Sequence, residues 1–331
     1  MSGKATAVAP SNIAFVKYWG TRDVEKTLPY NPSISMTLSE CVSRCTVEHL
    51  DDAEDDEVLL RQGDDLALAP ESFAAPIRRH LAFVRSWAEA AGGFRVATEN
   101  SFPTGAGMAS SASGFAALTL AAAAAMGRAL EVEEASILAR SSGSGSAARS
   151  VLGGYVEWPG DEKNGAAKQL AVADHWSLSD VVAVVSSSAK EVSSREGHRR
   201  AMSSPVFERR LQALPERLRR VRSAIADKDM IELGSVLEEE ALELHLVAMS
   251  SQPPIFYWTA GTIAVLRRVR ELRAEGLAAF STIDAGPNVH VICPADQEAQ
   301  VADALSRMAE IESVITDRVG SGPYLTDEHL V

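Results

Sequence analysis

Cysteine is scarce in this chain of 331 residues: Cys41, Cys45 and Cys293 are an odd three with no CxxC pair. Neither a disulfide framework nor a thiolate zinc site is expected from them, and the cytoplasm is the default compartment. Cations are in the minority, 32 Lys and Arg against 45 Asp and Glu, for a formal net charge of −13. Nucleic acid and membrane surfaces, both anionic, are therefore not expected as partners, whereas a small anionic substrate needs only a local cluster of cations. The first ten residues contain no apolar signal-peptide core, and the longest apolar run, residues 115–126, is mostly alanine and too short to span a bilayer. A Walker A Gly-Lys-Ser/Thr and a Gly-x-Gly-x-x-Gly are both missing. The seven histidines are scattered, and no Ser-His-Asp arrangement stands out.

A hydrophobic content of 46% and a charged content of 23% are those of a globular protein, long enough for two domains around a cleft. Ile34, Met36 and Leu38 alternate with Ser35 and Thr37, which predicts a strand, and residues 41–50 read as its antiparallel partner. The charge run at 51–57 reads as a solvated hairpin tip. Helical spacing over residues 76–91 ends at Gly92-Gly93, and a strand over 94–98 follows. Helices are expected over 115–126 and 133–139, and a strand and an exposed hairpin from 153 to 165. A buried strand at 178–186 closes the first half, so the division expected is 1–186 and 187–331. The Ser- and charge-rich residues 187–204 read as a hinge and a mobile segment. Helices are expected over 205–226, 230–249, 255–274 and 296–309, with strands over 278–283, 290–293 and 314–319. Glu238, Glu239, Glu240, Glu243 and His245 lie on one of these helices, and they read as a solvated acidic face rather than a metal site.

Residues 100–114, Asn-Ser-Phe-Pro-Thr-Gly-Ala-Gly-Met-Ala-Ser-Ser-Ala-Ser-Gly, lead into the alanine-rich helix. Gly105 and Gly107 permit close backbone approach, while Ser110 and Ser111 stand where unpaired helical N–H groups begin. A phosphate cradle and a simple helix cap are both consistent with this stretch alone. Three further candidates are Lys17 in Lys-Tyr-Trp-Gly, Arg149 at the end of a second small-residue loop, and Asp284 in an Asp-Ala-Gly-Pro-Asn turn. Each in isolation is also consistent with an ordinary surface or turn residue.

Four blocks occur in order: residues 12–20 (Asn-Ile-Ala-Phe-Val-Lys-Tyr-Trp-Gly), 102–112, 143–158 and 284–288. In this the chain resembles the mevalonate diphosphate decarboxylases of the GHMP kinase superfamily. The resemblance implies an α+β, two-domain GHMP-kinase-like fold with the active site in the cleft, and a homodimer. It implies ATP and Mg2+, and a 3-hydroxy acid decarboxylated to an isopentenyl phosphate ester in isoprenoid biosynthesis. It places Asp284 at the 3-hydroxyl as base or orienting group and Lys17 beside the transferred phosphoryl. Arg149 and Ser144 would hold the carboxylate, and Tyr18, Ser146, Ser194 and Arg195 the substrate and its 5-phosphate end. Asn100, Gly105, Gly107, Ser110 and Ser111 would cradle the ATP phosphates; the metal ligands are not implied. Two positions depart from the family pattern: Thr21 stands where a Lys usually follows Lys-Tyr-Trp-Gly, and after Ser194-Arg195 the chain has Gly197-His198 where Gly-Met is common. The missing cation favours mevalonate 5-phosphate as substrate and isopentenyl phosphate as product. The alternatives are the diphosphate activity, with Arg22 or Lys26 replacing the Lys, and a kinase that does not decarboxylate. A ligand sensor would have lost Asp284 or the loop serines, and both are retained.

Overall fold

The computed structural model describes residues 3–102, 110–141, 143–160, 165–188 and 190–331. The chain begins with β1 (Lys4–Val16), β2 (Thr21–Asp23), β3 (Leu28–Pro29), β4 (Ser33–Leu50), β5 (Glu57–Gln62) and β6 (Asp65–Leu68). There follow α1 (Glu71–Ala88), β7 (Gly93–Asn100), α2 (Ser110–Ala125), α3 (Val132–Arg140), β8 (Tyr155–Trp158) and β9 (Lys168–Ala171). The rest is β10 (Leu178–Val184), α4 (Ser194–Arg200), α5 (Phe207–Asp227), α6 (Met230–Met249), α7 (Ala260–Ala274), β11 (Phe280–Thr282), β12 (Val289–Pro294), α8 (Glu298–Ser306), β13 (Ser313–Arg318) and β14 (Tyr324–Thr326).

This is an α+β fold built on two main sheets. Strands β14-β1-β4-β7-β5-β6 form the larger, with β8 and β9 continuing it from β4, and β11-β12-β10-β13 form the smaller. Helix α2 is apolar all round, so it is buried, and its alanines let it lie close to the sheet. Ala116, Ala117, Ala121 and Ala122 pack with Ala7 and Ala9 of β1, Cys45 and Val47 of β4, and Leu81 and Val84 of α1. Helices α5 and α6 sit between the sheets. Their Leu214, Leu218, Leu233 and Val236 share one core with Ile13, Phe15 and Met36 of the large sheet and Leu178 and Val182 of the small one. No described helix is long and apolar enough to cross a membrane.

Several expectations change. Residues 33–50 are one strand, not a hairpin, because Asp317 on β13 takes the N–H groups of Ser39, Glu40 and Cys41 where a turn was expected. Residues 178–184 pair with β12 and β13, so the strand expected to close the first half lies in the second sheet. The 187–204 segment contains α4, whose N-cap Ser193 accepts the Glu196 N–H. Helix α7 starts at Ala260, not near 255, because Thr259 and Thr262 form a reciprocal capping box there. The C-terminal tail returns β14 to the edge of β1. Helix α6 is not a solvated acidic face throughout: Glu240 is fully buried.

Gly234 on α6 faces Phe280 of β11, and a Cβ there would fall inside the ring's contact distance. Gly234→Ala would gain up to about 1 kcal/mol of helix propensity. Overpacking against a buried ring costs about 1–3 kcal/mol and wins. The variant is expected to melt below the wild type, read by circular dichroism; an unchanged or higher midpoint would show that Phe280 can move aside.

Candidate active site

The site forms where β1 runs out. Lys17 follows the last β1 residue and is buried, and its Nζ donates to Asp284 Oδ1 at 2.6 Å and to the Ala14 carbonyl at 2.8 Å. Asp284 comes from the turn between β11 and β12, where the Gly286 N–H donates to its carbonyl at 2.7 Å. Burial pushes the Asp284 carboxyl upward, but Lys17, with His290 and Lys190 also contributing, outweighs it and holds the pKa below the ordinary carboxylate value. A residue just past a strand of the large sheet and one from a turn of the small sheet thus meet in one ion pair at the wall of a cavity of about 260 Å³.

Arg149 lines the same cavity from the small-residue loop after α3. Its Nε donates to Ser35 Oγ at 2.8 Å, its Nη2 to Asn12 Oδ1 at 2.9 Å and its Nη1 to Ser33 Oγ. These neutral acceptors aim the guanidinium without cancelling its charge. Burial lowers its pKa to about 10, with Asp284 and Tyr18 acting the other way, so it remains a cation at neutral pH. Ser144 Oγ lies 3.1 Å from Ser111 Oγ and 3.4 Å from Ser146 Oγ, which joins the second loop to the start of α2. Tyr18, Ser194 and Arg195 complete the lining, the last two from the exposed start of α4. Tyr18 stacks on His198 with ring centroids 4.1 Å apart, and its hydroxyl bonds Thr21 Oγ1 at 2.7 Å.

A second cavity, also about 260 Å³, opens on the other side of Ser111. Asn100, Ser110 and Ser111 supply its polar edge at the N-terminus of α2; Phe73, Ile77, Val96 and Leu118 supply apolar walls. Gly105 and Gly107 lie outside the described residues. A third space, about 510 Å³, is lined by Tyr18, Thr21, Arg79, Arg195, His198 and Arg199, among others. The expected residues therefore converge on three adjoining spaces: a charged one, an apolar one with a helix N-terminus, and one flanked by arginines.

Sequence reasoning missed three residues here. Lys190 lines the charged cavity, and burial lowers its pKa while Asp284 opposes that; a lone Lys among serines carried no signal. Asn12 lies inside the first motif, and its contact with Arg149 is what gives it a role. His198 drew notice only as a departure, yet its Nδ1 accepts the Gly20 N–H at 3.0 Å and burial pushes its pKa down to about 3. The acidic residues of α6 are taken by arginines: Glu240 by Arg210 and Arg217, Glu239 by Arg220, and Glu238 by Arg273.

The chain matches the diphosphomevalonate decarboxylase-like N-terminal domain over residues 9–171 and the mevalonate 5-diphosphate decarboxylase C-terminal domain over residues 180–326. It is 32% identical to a diphosphomevalonate decarboxylase of Candida albicans, with 98% of this chain and 99% of the relative covered. The solved mevalonate diphosphate decarboxylase of Staphylococcus aureus is 31% identical with a TM-score of 0.91, covering 99% of each chain. A structure of MDDEF in complex with MVAPP, AMPPCP and magnesium is 33% identical with a TM-score of 0.91, covering 98% of this chain and 99% of its own. With motifs, fold and cleft in agreement along nearly the whole length, the chain belongs to the diphosphomevalonate decarboxylase family of ATP-dependent decarboxylases.

Proposed function

We propose that this protein converts mevalonate 5-diphosphate and ATP to isopentenyl diphosphate, ADP, phosphate and CO2. The observation that carries the reaction type is the Lys17–Asp284 ion pair opposite Arg149 in one cavity. The substrate's tertiary 3-hydroxyl is a poor leaving group. Moving the ATP γ-phosphoryl onto that oxygen makes it a good one; departure of phosphate then takes the electron pair of the C1–C2 bond into the new alkene as CO2 leaves. Asp284, ionised beside Lys17, accepts or orients the hydroxyl proton, and Lys17 neutralises charge growing on the transferred group. Arg149 and Ser144 hold the carboxylate, with Tyr18, Ser146, Ser194 and Arg195 along the phosphorylated arm.

The nucleotide fits the second cavity, its phosphates at Asn100, Ser110, Ser111 and the α2 N-terminus and its base among the apolar walls. The complex of MDDEF with MVAPP, AMPPCP and magnesium supports this pairing of ligands. Mg2+ prefers phosphate and water oxygens with one or two protein donors, so the Ser111 hydroxyl, shared by both cavities, suits it. It would neutralise phosphate charge there.

The diphosphate is preferred over the monophosphate on two grounds. The relatives are diphosphomevalonate decarboxylases, and Arg79, Arg195 and Arg199 flank the space beside Thr21 where a far phosphate would reach. Thr21 alone favours the monophosphate, being neutral and tied to Tyr18. The test is kcat/KM for the two substrates with Mg-ATP, followed by CO2 release. A diphosphate preference of about tenfold or more, equal to about 1.4 kcal/mol, is expected. Thr21→Lys should widen it. A monophosphate preference would restore the reading from Thr21, and ADP without CO2 would make the protein a kinase.

A further inference from the structure

Lys17 and Asp284 come from different sheets, and a lysine stem is flexible, so something must fix the root of that side chain. Strand pairing ends at Val16, which leaves the Lys17 N–H and C=O without a ladder partner. The C-terminal helices supply both. The Lys17 N–H donates to Glu240 Oε2 at 3.0 Å, and its carbonyl accepts Arg210 Nη2 at 2.8 Å and Asn31 Nδ2 at 2.9 Å. Arg210 and Glu240 also pair with each other at 2.9 Å and are 1% and 0% exposed. Arg217 Nη1 holds the other Glu240 oxygen at 2.8 Å and Glu243 at 2.6 Å.

Burying a charge pair is costly, and an apolar pair of similar volume often serves stability as well. Here the pair also bonds both backbone polar groups of one residue, the lysine facing Asp284. The same helix also touches the other side of the site. Gly234, less than two turns before Glu240, packs against Phe280 of β11, the strand that leads to Asp284. One element therefore contacts the Lys17 backbone and the strand that leads to Asp284.

We infer that Arg210 and Glu240 are positioning residues that clamp the Lys17 backbone from α5 and α6 and so hold its ammonium in register with Asp284. This rests on the reading of Lys17 and Asp284 as the reacting pair. Loss of the clamp leaves the cavity walls and charges in place, so it should slow the chemical step and spare binding.

The experiment measures kcat and both KM values, with mevalonate 5-diphosphate and Mg-ATP, for wild type, Arg210→Lys and Glu240→Gln. Arg210→Lys retains the charge but loses the planar guanidinium, whose Nη2 bonds both the Lys17 carbonyl and Glu240 Oε2 and whose Nη1 reaches Asn31 Oδ1 at 3.4 Å. Expected is a fall in kcat of about tenfold or more in protein that is folded by circular dichroism, since small misplacement of a reacting group is costly. Both KM values should stay within about twofold of wild type. In a Lys17→Gln background, assayed at high enzyme concentration, Arg210→Lys should change the residual kcat by less than about twofold. Unchanged kcat in folded Arg210→Lys, or an undiminished drop on Lys17→Gln, overturns the inference. Should the charged variants not fold, Asn31→Leu removes one donor to the Lys17 carbonyl and the 3.4 Å contact of Arg210 Nη1, while Arg210 keeps Glu240 as its ion-pair partner. A fall in kcat of about threefold or more at constant KM is then expected, and no fall overturns the clamp. Wild type that releases no CO2, or Lys17→Gln with full kcat, sinks the functional reading itself, and either is seen before any clamp variant is compared.

Discussion

Asp284→Ala is expected to lower kcat by about 10³–10⁴-fold, the upper range for a general acid–base group. The carboxylate is ionised because Lys17 and its neighbours overcome the penalty of burial, and it is the acid placed on that ammonium at 2.6 Å. Removing it takes away the acceptor for the hydroxyl proton and leaves the buried ammonium without its partner. Asp284→Asn separates the two effects, since the amide oxygen can still accept from Lys17 Nζ while the negative charge is gone. Its kcat should fall nearly as far, with the melting midpoint closer to wild type. ADP and CO2 should be followed together, and nucleotide affinity measured by equilibrium titration. ATP binding should survive, because the apolar cavity and the α2 N-terminus are untouched. A loss below about tenfold would remove Asp284 from the proton step.

Asp317→Ala is expected to be the most destabilising single change away from the cleft. This carboxylate is 2% exposed and joins the small sheet to the large one. It accepts the N–H groups of Ser39, Glu40 and Cys41 at 2.8, 3.0 and 2.7 Å, and the Ser39 hydroxyl at 2.8 Å. Hydrogen bonds to a charged group contribute about 1.5–3 kcal/mol each, and the orphaned donors would add their own penalty. The contributions share one acceptor and are not additive, so a loss of about 3–5 kcal/mol is expected in urea unfolding. Asp317→Asn, which keeps one acceptor oxygen, should fall between. Below its melting range Asp317→Ala should retain near-normal kcat. A loss under about 1 kcal/mol would mean that water reaches those three N–H groups.

The same carboxylate explains a limit of sequence reading. Local alternation located strand at 34–38 and at 41–50, but the acceptor that keeps Ser39, Glu40 and Cys41 extended lies more than 270 positions away. Helix α6 shows the complementary limit. Its run of glutamates looks like a solvated face, because periodicity does not reveal that Arg210 and Arg217 of α5 lie opposite. Lys190 had no pattern around it, and only the tertiary structure puts it with Asp284 in the lining of one cavity.

Where the physics was local, the sequence was sufficient. The alanine-rich run had to be a buried helix because no face of it is polar, and any helix start brings N–H groups that lack partners within the helix. The four ordered motifs identified the family and named Lys17, Arg149 and Asp284, because side-chain chemistry is written residue by residue. Only the tertiary structure decided which groups meet. Lys17 and Asp284 are 267 positions apart and form an ion pair because α5 and α6 pack between the two sheets. Arg149 is aimed by Asn12, Ser33 and Ser35, three residues of neighbouring strands that carry no charge. Distances of this kind are set by the packing of whole elements, which no stretch of residues encodes alone.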